Sequence, residues 1–219
     1  MKSILVPYLI FTSLLPEMTD VSKALDKLGE GHAIDQVNWP GYDYQPKVRF
    51  NIGYGEKEIY IKYYVHEQYV MAQKRKPNES VCEDSCVEFF VSPDSDGTYY
   101  NFEFNPIGTC LLGKGTGRAD SKKVDPEYIN KIRRLGTLGT LPFDEKTGDQ
   151  DWELTIAIPL EAFAGKDIKT LAGKVFRANF YKCGDKLTRP HYLTWSPVGT
   201  SGPDYHQPEY FGTIEFEKR

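Results

Sequence analysis

The segment Cys82-Glu-Asp-Ser-Cys-Val-Glu-Phe-Phe-Val91, running on to Thr98-Tyr-Tyr-Asn-Phe-Glu-Phe-Asn-Pro-Ile-Gly108, decides the fold. Side chains alternate across a strand. Val87, Phe89 and Val91 therefore share one face, and Glu88 and Phe90 the other. In the second stretch Tyr100, Phe102 and Phe104 form an apolar face, and Tyr99, Asn101, Glu103 and Asn105 a polar one. Pro93-Asp-Ser-Asp-Gly97 between them carries turn chemistry, so the two strands read as an antiparallel pair. If both apolar faces meet a core, Glu88, Asn101 and Glu103 lie together on one outer surface.

The same alternation recurs at 48–52, 58–65 and 152–158, and shorter strands are expected at 175–181, 192–195 and 212–217. Many short strands separated by turns predict an all-β protein, an antiparallel two-sheet β-sandwich. One short N-terminal helix is expected over 19–28. Thr19 or Asp20 would cap it, Val21, Ala24, Leu25 and Leu28 fall at helical spacing, and Gly29 would end it. Residues 125–135 support a turn or two of helix. With 219 residues and no linker or repeat, the chain reads as one domain over 1–219, with a strand and helix from 1–37 packed on it.

Composition narrows the function. Charged residues make up 26%, the net charge is −4, and the one basic run, Lys74-Arg75-Lys76, is short, so nucleic acid is not an expected partner. The apolar run 4–15 is broken by Pro7, too short for a bilayer and followed by no small-residue cleavage signal. It reads as an edge strand, which leaves no membrane or export signal. Cys82, Cys86, Cys110 and Cys183 read as small buried thiols in a reducing compartment such as the cytoplasm. Cys82 and Cys86, four apart on a strand, would be too distant for a disulfide. No metal cluster or catalytic motif stands out. Asp94 and Asp96 are the acids a calcium ion would use, against an ordinary role in the turn.

Acids and amides beside aromatic rings, the latter on the distant Pro203-Asp-Tyr-His-Gln-Pro-Glu-Tyr-Phe-Gly212, suit a surface that binds sugar hydroxyls and stacks on sugar rings. Glu83-Asp-Ser-Cys-Val-Glu-Phe-Phe90, Tyr100-Asn-Phe102, Thr194-Trp-Ser196 and Tyr205-His-Gln-Pro-Glu-Tyr-Phe-Gly212 together resemble the family 9 carbohydrate-binding modules and their DOMON-like relatives, from about residue 38 to the C-terminus. The resemblance implies a two-sheet sandwich and non-catalytic binding of a saccharide or polysaccharide. In that family a sugar lies between two aromatic rings, with a Glu and an Arg on its hydroxyls. Carried onto this chain, the Glu is Glu88 and one ring is Tyr205. The Arg position falls at Asn101, and the second ring position at Cys82. A thiol cannot stack on a sugar ring, so the clamp would be open on one side or closed by another ring such as Tyr99 or Tyr42, and Arg118, on the Gly-rich stretch 113–118, could be the replacement cation. Glu103 on the same face and His206 next to Tyr205 complete the candidate set. Trp195 matches a family Trp that looks structural. Two other readings stand beside this one. Glu88 and Glu103 are a carboxylate pair that a glycoside hydrolase could use, and a sandwich that has lost sugar affinity could bind a protein partner.

Overall fold

A computed structural model describes residues 2–219. Among these residues thirteen strands form two sheets. The first sheet contains β1 (Ser3–Val6), β5 (Cys86–Ser92), β6 (Tyr99–Phe104), β7 (Cys110–Gly115), β8 (Lys122–Lys123), β11 (Val175–Cys183), β12 (Tyr192–Thr194) and β13 (Gly212–Phe216). Its order is β1-β13-β11-β5-β6-β7-β8, with β12 also on β11. The second contains β2 (His32–Ala33), β3 (Lys47–Tyr54), β4 (Glu58–Ala72), β9 (Arg133–Gly136) and β10 (Phe143–Pro159), in the order β2-β3-β4-β10-β9. Two α-helices occur among the described residues, α1 (Met18–Asp26) and α2 (Pro126–Asn130). The all-β sandwich expected from strand alternation is the observed architecture.

Burial of alternate residues holds the sheets together. Val48, Phe50 and Ile52 of β3, Ile59, Ile61 and Tyr63 of β4, and Trp152, Leu154 and Ile156 of β10 face Val87, Phe89, Tyr100, Phe102 and Phe180 across one apolar core. Phe50 and Phe180 stack at 3.7 Å between ring centroids, directly between the sheets. Trp195 packs edge-on against both rings, a core position as the family pattern suggested.

One buried ion pair also ties the sheets. Lys182 Nζ of β11 lies 2.8 Å from Glu67 Oε2 of β4. The ammonium donates to Cys183 O at 3.0 Å and meets His191 Nε2 at 2.8 Å, while Trp152 Nε1 donates to Glu67 Oε1 at 2.7 Å. Burial and the Lys182 charge hold His191 well below its ordinary pKa. It is therefore neutral, with Nε2 free to accept from Lys182.

Several local expectations are corrected. The N-terminal strand is only Ser3–Val6, and it pairs in parallel with β13, whose other edge lies antiparallel to β11. Helix α1 begins at Met18 with Glu17 at its N-cap, which makes no side-chain capping bond, and it ends at Asp26. Val21 and Leu25 bury against Tyr60 and Ala157 on the outer face of the second sheet. The Gly-rich stretch is not all loop, since Gly113 to Gly115 belong to β7. Of the close pair, Cys82 is in a single turn of 3-10 helix, Val81–Glu83, and Cys86 is on strand β5.

Candidate functional site

The outer face of the first sheet is not an open surface. Glu88, Asn101 and Glu103 do lie on it, as alternation requires, but all three are buried. Their cover is a second apolar cluster in which Trp39, Val81, Val198, Tyr205 and Phe211 pack on Phe90, Tyr99 and Tyr181. The outer surface expected for Glu88, Asn101 and Glu103 is therefore a covered one. Segments from both ends of the chain and from the turn before β5 fold over the strands.

A pocket of about 210 Å³ penetrates this cover. Cys82, Glu88, Phe90, Glu103, Arg118, Cys183, Asp185, Tyr192, Pro203, Asp204, Tyr205 and His206 line it. Six of the residues singled out in the sequence thus meet in one concavity: Tyr205, Glu88, Glu103, Arg118, Cys82 and His206. Asn101 and Tyr99 sit behind its walls. Asn101 Nδ2 donates to Glu103 Oε1 at 2.8 Å, and the Tyr99 hydroxyl lies 2.6 Å from His206 Nδ1. Gly113 sits opposite Asn101 on β7, where a Cβ would come within 2.4 Å of Asn101 Oδ1, so only glycine leaves room for that amide.

The two carboxyls are direct cross-strand partners in the β5–β6 register. Such pairs hold their Cβ atoms roughly 4.5–5.5 Å apart. Burial, reinforced by the charge of Glu103, pushes the Glu88 carboxyl far above the ordinary range. Burial pushes Glu103 up to about 7, with the bond from Asn101 opposing. Glu88 is therefore a neutral acid at pH 7, able both to donate and to accept. The Cys183 thiol donates to Glu88 Oε1 at 3.1 Å.

The rest of the wall is polar on one side and aromatic on the other. Arg118 donates from Nε and Nη2 to Asp204 Oδ1 at 2.9 and 2.7 Å, yet its side chain stays 61% exposed. Burial opposes ionisation of Asp204, but the bonds from Arg118 and Gln207 outweigh it and keep the carboxyl below its ordinary pKa. Burial, helped by Arg118, pushes His206 down to about 4, so it is neutral. Tyr205 is 6% exposed. One of its faces is stacked on Tyr181 at 4.0 Å, and its hydroxyl donates to Lys182 O at 3.0 Å. Tyr192 is half-buried beside it, braced edge-on by Tyr42 at 4.7 Å. Tyr42 thus supports the rim through Tyr192, whereas Tyr99 is wholly buried beneath His206.

Asp94 and Asp96 lie elsewhere and share one ammonium, Lys166 Nζ, at 2.7 and 2.6 Å. The pocket residues not foreseen as site residues are Phe90, Cys183, Asp185, Tyr192, Pro203 and Asp204. Cys183 was readable in principle, because Asn179, Tyr181 and Cys183 alternate outward on β11. Its position beside Glu88 depends on the β5–β11 pairing, which no local pattern reveals.

A two-sheet sandwich with a small pocket walled by rings and carboxyls defines a β-sandwich binding module. The chain matches the model of carbohydrate-binding family 9 over residues 19–216 and belongs to that family. It is similar, at 42% identity and a TM-score of 0.94, to a protein from Bacteroides uniformis ATCC 8492 described as carbohydrate-binding, with 99% of each chain covered. The fold also matches a family 9 carbohydrate-binding module from Caldicellulosiruptor kristjanssonii in complex with glucose, at 14% identity and a TM-score of 0.63, covering 100% of this chain and 97% of the other. The cellotriose complex of a family 9 module from that organism matches at 15% identity and a TM-score of 0.64, over 100% and 95% of the two chains. No curated protein matches.

Proposed function

We propose that this chain is a non-catalytic carbohydrate-binding module and that one saccharide unit occupies the pocket beneath residues 203–206. The observation that carries this reading is convergence. Six residues drawn from four separated parts of the chain line a single cavity of about 210 Å³. That volume lies below the roughly 300–1,000 Å³ typical of drug-sized ligand sites, so it suits one ring rather than several. The acid of Glu88 and the carboxyl of Glu103 meet hydroxyls as donor and acceptors, Arg118 reaches in from the rim, and Tyr192 and Tyr205 present the apolar wall for a sugar's C–H face. Family membership supports the ligand class, and the glucose and cellotriose of the Caldicellulosiruptor modules are the natural first probes.

The carboxyl pair favours binding over hydrolysis. Retaining hydrolysis also places two carboxyls about 5–5.5 Å apart, but one must be ionised to attack. Here burial leaves neither carboxyl fully ionised at pH 7, Glu88 staying protonated and Glu103 being about half ionised, and Glu88 is already engaged by a thiol. The test is calorimetric titration with glucose and cellotriose, run beside an assay of aryl glycoside turnover. Saturable binding, weakened about tenfold or more by Glu88→Ala and without turnover, is expected. Turnover abolished by Glu88→Gln and by Glu103→Gln would establish the hydrolase instead. No retention on any glycan at millimolar sensitivity would leave the protein-partner reading.

A further inference from the structure

Cys86 and Cys183 face each other across the β5–β11 pair, on the side of the sheet that carries Glu88. The Cys183 thiol lies 3.1 Å and the Cys86 thiol 3.8 Å from the same oxygen, Glu88 Oε1. All three donor atoms fall within 4.8 Å of one another, and all three side chains are buried. Neither sulfur is in a disulfide. The two thiols also interact with each other, and Val87 O and Cys82 O each lie 3.8 Å from one of the sulfurs.

We infer that the floor of this pocket is a site for a thiophilic divalent cation of the zinc type, held by Cys86 Sγ, Cys183 Sγ and the Glu88 carboxylate. A tetrahedral zinc ion, with bonds of about 2.0–2.3 Å, holds its donors roughly 3.3–3.8 Å apart. The two sulfur–oxygen separations already lie close to that range, so the site forms by drawing the sulfurs together by about 1 Å or less. Two sulfurs select a soft ion over calcium or magnesium, which prefer all-oxygen shells. The route of access exists, because Glu88 and Cys183 line the pocket while Cys86 closes the site behind them. Cys82 and Asp185 line the same pocket as Glu88 and Cys183. On binding, the two thiol protons and the proton of Glu88 pass to solvent as three anionic ligands form. The ion consumes the carboxyl assigned to hydroxyl recognition, so metal and saccharide exclude one another. The metal site itself does not depend on the saccharide reading.

The test is anaerobic titration of the reduced, metal-free chain with cobalt(II), followed by displacement with zinc(II). One equivalent of cobalt should give thiolate-to-cobalt charge-transfer absorption together with tetrahedral visible bands, and zinc should remove both. Cys86→Ser and Cys183→Ser should abolish the thiolate band, while Cys110→Ser, whose sulfur lies in the main core, should leave it intact. Glu88→Gln keeps the shape of the acid but offers a poor ligand, and should weaken the site about tenfold or more. In the unaltered chain zinc, but not calcium, should raise the melting temperature, which covers the case in which a serine variant fails to fold. No thiolate band at millimolar cobalt, or a band that survives both serine variants, would overturn the inference.

Discussion

The two faces of the first sheet are built from the same strands and do different work. On the inner face, Val87, Phe89, Tyr100, Phe102 and Phe180 meet the second sheet in a dry core. On the outer face, offset by one residue, Glu88, Asn101, Glu103, Tyr181 and Cys183 meet a cover of loops that leaves a pocket. Both faces are buried, but they are buried differently. The inner face gains stability from apolar area at about 25 cal/mol per Å². The outer face buries carboxyls and thiols whose charged forms burial disfavours. The contrast separates stability from recognition along a single strand, and substitutions can test that separation.

The largest effect belongs to the inner face. Phe180→Ala removes the ring stacked on Phe50 and Phe89. It should destabilise the chain by about 3–5 kcal/mol in urea unfolding, while the molecules that remain folded keep their affinity for saccharide. A loss of affinity larger than the loss of folded protein would break the division between faces.

A smaller effect, opposite in character, is expected from Glu103. Its carboxyl has a pKa of about 7 in the folded chain against an ordinary value of 4.5. A raised acid favours folding most below the ordinary value, and that favour is lost as pH rises through the folded value. Between pH 4.5 and 7, Glu103→Gln should therefore gain stability relative to the parent chain as pH rises, by an amount on the order of 3 kcal/mol. His206 and His191, held neutral by burial, act in the reverse direction over much of this range. The difference between variant and parent is thus the quantity to measure, since total stability mixes the two. A difference independent of pH would show that Glu103 titrates normally and that the outer face is wetter than its geometry implies.

The next two effects are smaller still. Arg118→Ala removes a largely exposed guanidinium whose ion pair with Asp204 is worth about 0–1 kcal/mol. The melting temperature should scarcely move, while saccharide affinity falls several-fold in calorimetric titration. Tyr99→Phe deletes only the hydroxyl that meets His206, and should cost about 1 kcal/mol of stability in urea unfolding. Its effect on binding should be slight, because Tyr99 lies behind the pocket wall.

The inner face was legible in the sequence because apolar alternation at 87–91 and 100–104 is a local signal, and two matching faces demand a core. The polar partners on the opposite face followed from the same register. Three features escaped local reading. Gly113 and Gly115 resemble loop residues, yet Gly113 is a strand position that must admit the Asn101 amide. Lys182 and Glu67 are charges that strand alternation turns toward the apolar core, and only the meeting of the two sheets makes them an ion pair. Much of the cover over the outer face, Val198, Tyr205 and Phe211 among it, comes from residues 196–211, whose backbone has no periodicity to read. The motif that carried the resemblance therefore located the pocket residues without showing that they are buried beneath a lid of aromatic rings.

The most direct measurement is a glucose and cellotriose titration of the uniformly ¹⁵N-labelled chain, followed by amide chemical shifts. Saturable shifts are expected to concentrate at Cys82, Glu88, Arg118, Asp185, Tyr192 and residues 204–206, with the amides of β3 and β4 unmoved. Saturable shifts centred on the second sheet, or none at any accessible concentration of either saccharide, would contradict this placement of the saccharide.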